Sequence, residues 1–256
     1  NLYQKVIKLD DFLTPFKLTY KPFGARAILI EWPSKIDKNI LKDIILFKNK
    51  IINENIEQIL ELKTAYNSLL VIYNSICRNF ENKIIFLKKV YVSPDFKSDM
   101  VSNIWRIPVC YDDAFGIDLG MISKQKNISK PEIIKRHLQT IYTVYFIGFL
   151  PGFLYLGGLD ETLHVPRKST PRLHIEKGAI AIGGNQTGVY PNPSPGGWNI
   201  IGNSPINFFD VSKKMPCFAK AGDAIQFYSI SINEHHHIKT LVDANVYQIE
   251  SELIND

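Results

Sequence analysis

The chain has 256 residues, 45% of them hydrophobic and 21% charged, with a formal net charge of +5. That make-up suits one large globular domain or two modest ones and excludes a disordered or low-complexity chain. The positive excess is lysine scattered through residues 1–92, 15 Lys/Arg against 9 Asp/Glu, and not a clustered patch, so no nucleic-acid partner is expected.

In chain order, Asn1 to Lys5 shows no charged-then-apolar leader pattern. Lys17–Tyr20 and Ala27–Trp32 flank a Pro22-Phe23-Gly24 turn and predict a hairpin. Ile36, Ile40, Leu41, Ile44, Ile45, Lys48 and Ile51 follow helical spacing, Ile56–Leu62 and Ser68–Tyr73 predict two strands, and Phe80–Lys89 a second helix. This ββαββα order implies a small α+β domain over residues 1–92. Ser93-Pro94-Asp95 is the expected linker to a second domain, residues 93–256. There Trp105–Tyr111 predicts a strand, and Ser129-Lys130-Pro131-Glu132 a helix start with Ser129 as N-cap. Short strands between turns then follow from Tyr142–Ile147 through Ile225–Tyr228 to Lys239–Val242, which predicts a β-barrel or sandwich.

Cys77, Cys110 and Cys217 are far apart, without CxxC spacing, which points to reduced thiols and a cytoplasmic setting. The longest apolar stretch, Val144–Leu159, is broken by Gly148, Pro151, Gly152 and Gly157, so no membrane span is expected.

The strongest signal lies between Gly148 and Pro205, where 11 of the 15 glycines and 7 of the 14 prolines fall. Glycine allows close backbone approach and proline fixes φ, so their interleaving yields contorted but stiff loops. That composition suits either a preorganised pocket or a barrel with many tight turns. Arg167 and Arg172, two of only six arginines, sit in Pro166-Arg167-Lys168-Ser169-Thr170-Pro171-Arg172. A guanidinium matches carboxylate or phosphate oxygens in pairs, so the run predicts an anion clamp, with structural salt bridges as the alternative. Gly183–Tyr190 offers Gln186, Thr187 and Tyr190 as hydrogen-bonding groups. Pro195, Gly196, Gly197 and Trp198 would form a loop and an apolar wall. No Walker A loop, GxSxG elbow or metal-ligand spacing is present, so no metal site is expected. His235 and His237 would share a face if extended and could catch a stray metal, or they are an exposed polar run.

Taken together, the Gly148–Leu159 run, the Pro-Arg-Lys…Pro-Arg run, Gln186–Pro191 and Ser194–Gly202 resemble the KipI/allophanate hydrolase subunit 1 family. Lys21–Ala27, Ser68–Val71, Ile107–Tyr111 and His137 ahead of Tyr142–Tyr145 fit the same resemblance. Lys168, where the family often has arginine, and Leu154, where it often has proline, depart from it. The resemblance implies a small α+β (ferredoxin-like) domain followed by a cyclophilin-like β-barrel. It implies one component of ATP-dependent 5-oxoprolinase, a hydrolase cleaving 5-oxoproline to glutamate. ATP, with Mg where a metal accompanies the nucleotide, would be the cofactor. A companion cyclophilin-like subunit (the C-type component of that enzyme) and a third subunit would be the partners. Arg167 and Arg172 would bind anions, and Gln186, Thr187 and Tyr190 would donate or accept hydrogen bonds. His137 would be a proton carrier or, equally, a structural helix histidine. Two other roles known in the family stay open: inhibition of a sensor histidine kinase, and carboxyl transfer as in urea carboxylase. The chain carries no biotin-bearing Met-Lys-Met motif.

Overall fold

The computed structural model describes residues 15–94 and 101–255. The expected leader-free start at Asn1–Lys5 and the linker residue Asp95 lie outside the described residues. The chain divides into two compact units, Asn1–Ser98 and Asp99–Asp256.

In the first unit, β1 (Thr19–Phe23) and β2 (Ala27–Glu31) form the hairpin, turning at Gly24 with φ of 60°. Helix α1 (Lys38–Asn53) leads to β3 (Ile59–Thr64) and β4 (Ser68–Tyr73), and α2 (Phe80–Val92) follows. The strands are antiparallel in the order β1-β2-β4-β3. Asp37 starts α1 by accepting the Asn39 N–H, and Asn79 starts α2 by accepting the Asn82 N–H. Ile40, Ile44, Phe47 and Ile51 fall on one face of α1 and bury against Ile28, Ile30, Leu69 and Val71 of the sheet. Burying each such side chain contributes about 1.5–3 kcal/mol. The ββαββα order departs from the βαββαβ order of a ferredoxin-like domain, because both helices here follow a finished hairpin.

The second unit opens with β5 (Val101–Val109), α3 (Leu119–Lys126), α4 (Lys130–Gln139), β6 (Ile141–Ile147) and β7 (Leu154–Gly157). A 3-10 turn (Glu161–Leu163) precedes β8 (Arg172–Ile175), β9 (Ala179–Gly183), β10 (Gln186–Val189), β11 (Ser194–Gly196) and β12 (Asn199–Asn203). The chain ends with β13 (Ala224–Ser229), α5 (Ile232–Asp243) and β14 (Ser251–Asn255). Eight strands form one sheet in the order β12-β9-β10-β7-β6-β13-β5-β14, and β8 and β11 form a separate ribbon. The expected closed barrel is not formed as a continuous ladder. The sheet curls until Cys110, just past β5, makes one antiparallel bridge to Asn203 of β12, with N–H···O distances of 2.9 Å each way. A further reach of pairing is pre-empted by β14, which occupies β5 from Val101 to Trp105.

Strand alternation puts two cores on the two faces of this sheet. Ile180, Ile182, Leu154, Leu156 and Val189 enter the main core. Ala179, Ala181, Tyr190, Trp198 and Ile200 enter a smaller one with Phe153 and with Ile175 of the ribbon.

The Lys239–Val242 run is helix, not strand. Ser231 and Glu234 make a capping box, and His235, Ile238 and Val242 then recur at helical spacing toward the core. On that helix His235 is buried while His236 and His237 are exposed, so the shared face expected of an extended segment does not exist. Among the described residues no group of three His, Cys, Asp or Glu side chains could hold a metal ion. No described helix is long and apolar enough to cross a membrane. The three cysteines are free thiols.

Candidate functional site

The segment from Val165 to Arg172 is pinned on both sides before any of its charges come into play. Val165 exchanges backbone hydrogen bonds with Gly184 (3.1 and 2.7 Å), and the Lys168 N–H donates to the Gly197 carbonyl at 2.7 Å. The Asn199 amide donates to the carbonyls of Pro166 (3.0 Å) and Ile182 (3.2 Å), tying the segment to β9. Arg167 is therefore held exposed, with its guanidinium carbon 5.2 Å from the centre of the Trp198 ring. Such a cation–π contact restrains the arginine without neutralising it.

Trp198 is 4% exposed and lies flat against strand backbone. A Cβ on Gly183 would meet its ring at 2.4 Å, and one on Gly188 would meet it at 2.9 Å and the Leu154 carbonyl at 3.0 Å. Gly183 and Gly188 thus make room for the indole, and Phe153 (5.5 Å, 86°) and Tyr155 (5.8 Å, 76°) hold it edge-on. Gly183→Ala is expected to destabilise the unit by about 1–3 kcal/mol through overpacking, read as a lower urea midpoint with unchanged slope.

Arg172 does not present its fork outward. It binds Asp118 bidentately, at 2.8 and 2.7 Å, and the Lys168 ammonium sits 2.9 Å from the same carboxylate. Asp118 is 3% exposed and also accepts the Ile200 N–H at 2.7 Å. Burial alone would raise its carboxyl, but the Arg172 and Lys168 partners outweigh this and hold it below the ordinary aspartate value. The alternative of a structural salt bridge therefore holds for Arg172, and the two-arginine clamp is reduced to Arg167. Asp118 was not among the expected residues; lying 54 positions before Arg172, it leaves no local spacing signal. The one hint is an aspartate at the start of an apolar helical run, yet its side chain makes no helix cap. With Lys168 and Arg172 sharing a single carboxylate and Arg167 paired with none among the described residues, this face carries a net positive charge.

Gln186 follows Gly183 and Gly184 onto β10 and shares the sheet face of Gly188, the Trp198 side. Its Oε1 is buried and has no hydrogen-bond partner among the described residues. A buried acceptor without a donor costs about 1–3 kcal/mol, and the described residues supply no donor for this one. Tyr190 is 1% exposed, and burial pushes its phenol up to about 12, against smaller opposing effects of Trp198, Arg167 and Arg172. It is a neutral part of the floor. Gly196 packs on the Tyr190 ring edge, exposed Pro195 lies on the ribbon, and Gly197 supplies the carbonyl that fixes Lys168.

Thr187 and His137 face the other way, into the main core, each fully buried. The Thr187 hydroxyl donates to the Ala181 carbonyl at 3.0 Å, so it accepts from His137 at 3.0 Å. That places the imidazole proton on Nε2 and leaves Nδ1 to accept from the Tyr111 hydroxyl at 2.8 Å. Stacked on Phe227 at 5.0 Å and 20°, the ring is sealed from the Arg167 face, and burial lowers its pKa to about 3. The proton-carrier expectation for His137 is thereby corrected, as is a ligand role for Thr187: period-2 alternation on β10 turns Thr187 inward. His235 is lowered in the same direction, to about 4. A histidine whose pKa is depressed on folding contributes stability that is present above the unfolded value near 6.5 and is lost as pH falls toward the folded one. The unfolding midpoint should therefore drop between about pH 6.5 and 4, by up to about 1.4 kcal/mol per pH unit for each group. His137→Gln should flatten that slope in thermal melts across this range.

Residues 18–219 match the family described as carboxyltransferase domain, subdomain C and D. The chain belongs to this family, which is the KipI/allophanate hydrolase subunit 1 group whose motifs its sequence carries. It is 38% identical over 167 residues to the B-type subunit of 5-oxoprolinase from Bacillus subtilis (strain 168), covering 65% of this chain and 67% of that one. To the B-type subunit of 5-oxoprolinase from Haemophilus influenzae it is 34% identical over 206 residues, 80% of this chain and 95% of that one. The crystal structure of Kluyveromyces lactis urea carboxylase shares the fold over 93% of this chain, with a TM-score of 0.78 at 20% identity. This chain spans 24% of that much longer protein.

Proposed function

We propose that this chain is the B-type component of an ATP-dependent 5-oxoprolinase. The observation that carries the reading is Arg167: a cation fixed on Trp198, without a carboxylate partner among the described residues, with Gln186 on the strand face that packs against the same indole. 5-Oxoproline has one carboxylate and one lactam N–H, which these two groups complement. The names of the relatives at 34–42% identity support the same assignment.

Opening a resonance-stabilised lactam needs activation. ATP, when bound, would supply that activation by phosphorylating the lactam oxygen with release of ADP, after which one water would open the ring at the C–N bond, with a proton going to nitrogen, and a second would release phosphate. In this reading the chain grips the substrate carboxylate and lactam nitrogen. The face is preorganised by the Asp118 cluster, so little reorganisation accompanies the charge that develops on oxygen. In this reading ATP, with its magnesium, and the proton carrier would be supplied together with a companion cyclophilin-like subunit and a third subunit. Reading His137 and Arg172 as structural is what moves these tasks to other chains.

A second reading, carboxyl transfer within a larger assembly, draws on the family description and on the urea carboxylase fold. The two separate on substrate. Incubated with its companion subunits, the chain should form glutamate from 5-oxoproline only when ATP is present. Biotin-dependent carboxylation without 5-oxoproline cleavage would overturn the proposal in favour of the second reading.

A further inference from the structure

Apart from the Arg167 face, the second unit holds a cleft of about 630 Å³ where Asn103 and Trp105 of β5, Ile147 at the end of β6 and the loop from Phe209 to Lys220 meet. We propose that this cleft is a binding site for a small aromatic monocarboxylate. Its volume lies in the range of small-molecule sites, about 300–1,000 Å³. The walls are apolar: Trp105, Ile147, Phe209, Pro216, Cys217 and Phe218. Trp105 and Phe218 meet edge to face at 4.9 Å and 64°, an arrangement that presents ring surface to a flat guest.

The polar groups decide the charge of that guest. Asp223, the carboxylate in the lining, is 1% exposed and already saturated. It accepts from the Asn103 N–H (3.0 Å), the Trp105 indole N–H (2.9 Å) and the Lys220 N–H (3.0 Å), with the Lys220 ammonium at 3.4 Å. These bonds fix the Trp105 ring in place and leave no oxygen seeking a cation. Lys220 is further committed to the Val101 carbonyl at 2.9 Å. Lys214, exposed in the same lining, has no carboxylate among the described residues. An aromatic wall with one uncommitted ammonium matches a ring bearing a single negative charge. A nucleoside triphosphate would bring several charges to one cation and is disfavoured here. The exposed Met215 beside Lys214 is adaptable enough to close on guests of different outline.

The test uses the whole chain and 2-naphthoate, with neutral 2-naphthamide as its uncharged counterpart. Calorimetry should show one saturable 2-naphthoate site with Kd on the order of 1 mM or tighter. The amide and the exposed-site variant Lys214→Ala should each weaken binding at least fivefold. Cys77 and Cys110 are buried, so iodoacetamide should label Cys217 first, and saturating 2-naphthoate should slow that labelling at least fivefold. Arg167→Ala should leave 2-naphthoate affinity unchanged, which separates this site from the proposed 5-oxoproline face. Equal affinity for acid and amide would overturn the proposal, as would unchanged affinity in Lys214→Ala or unprotected Cys217. Loss of binding in Arg167→Ala would instead place the carboxylate on the other face.

Discussion

Replacing Asp118 with alanine is expected to cost about 3–5 kcal/mol of stability, because it strands two cations that the fold has already drawn in. The carboxylate takes two hydrogen bonds from Arg172, one from the Ile200 backbone and an ion pair from Lys168. It therefore joins three stretches of chain that are distant in sequence: the start of α3, the Pro166–Arg172 run and β12. Removing it leaves Arg172 and Lys168 repelling one another where Lys168 and Arg172 are each less than a third exposed. Asp118→Asn, which keeps an oxygen for the Ile200 N–H, should lose less than the alanine variant. Urea denaturation of the three proteins checks the order. The same cluster sets an acid limit. A carboxylate whose pKa is lowered by folding contributes stability above its unfolded value, near 3.9, and that contribution is lost as pH falls through the folded one.

Arg167→Ala should act in the opposite manner, sparing the fold and removing function. The side chain is exposed, and its ring partner Trp198 stays locked by Phe153, Tyr155 and the glycine backbones beneath it. Loss of stability should stay near or below about 1 kcal/mol, the worth of an exposed cation–π contact. Losing a charge-assisted contact to the substrate carboxylate costs about 2–5 kcal/mol, so 5-oxoproline turnover by the assembled enzyme should fall by roughly 30-fold to over 10³-fold in kcat/KM. Arg167→Lys should recover only part of this, because an ammonium keeps the charge but not the fork. Wild-type kcat/KM in the alanine variant would remove Arg167 from the site.

Local pattern made much of the scaffold legible. Ser129 stands at the start of α4 as expected of an N-cap, and the hairpin, α1, β4, α2 and α4 fall close to their expected spans. Lys239–Val242, expected to continue the run of short strands, is helical because the Ser231–Glu234 capping box upstream starts α5. In the Gly148–Pro205 block, composition signalled close backbone approach, and the approaching groups are several: Trp198 at Gly183 and Gly188, Tyr145 at Gly157, Phe209 at Gly152 and Tyr190 at Gly196. Side-chain direction was the part that spacing could not give. Gln186 and Thr187 are adjacent, yet alternation sends one to the Trp198 side of the sheet and the other to His137 in the core. The two arginines are five residues apart, and only Asp118, far upstream, distinguishes the neutralised one from the open one.

As proposed, this chain would supply the substrate-gripping face of a 5-oxoproline-opening enzyme. The most direct measurement is ADP and glutamate release by the chain mixed with its companion subunits, with and without 5-oxoproline. One ADP per glutamate is expected, with both products absent when this chain or 5-oxoproline is left out. An assembled complex that hydrolyses ATP at the same rate without 5-oxoproline and forms no glutamate would contradict it.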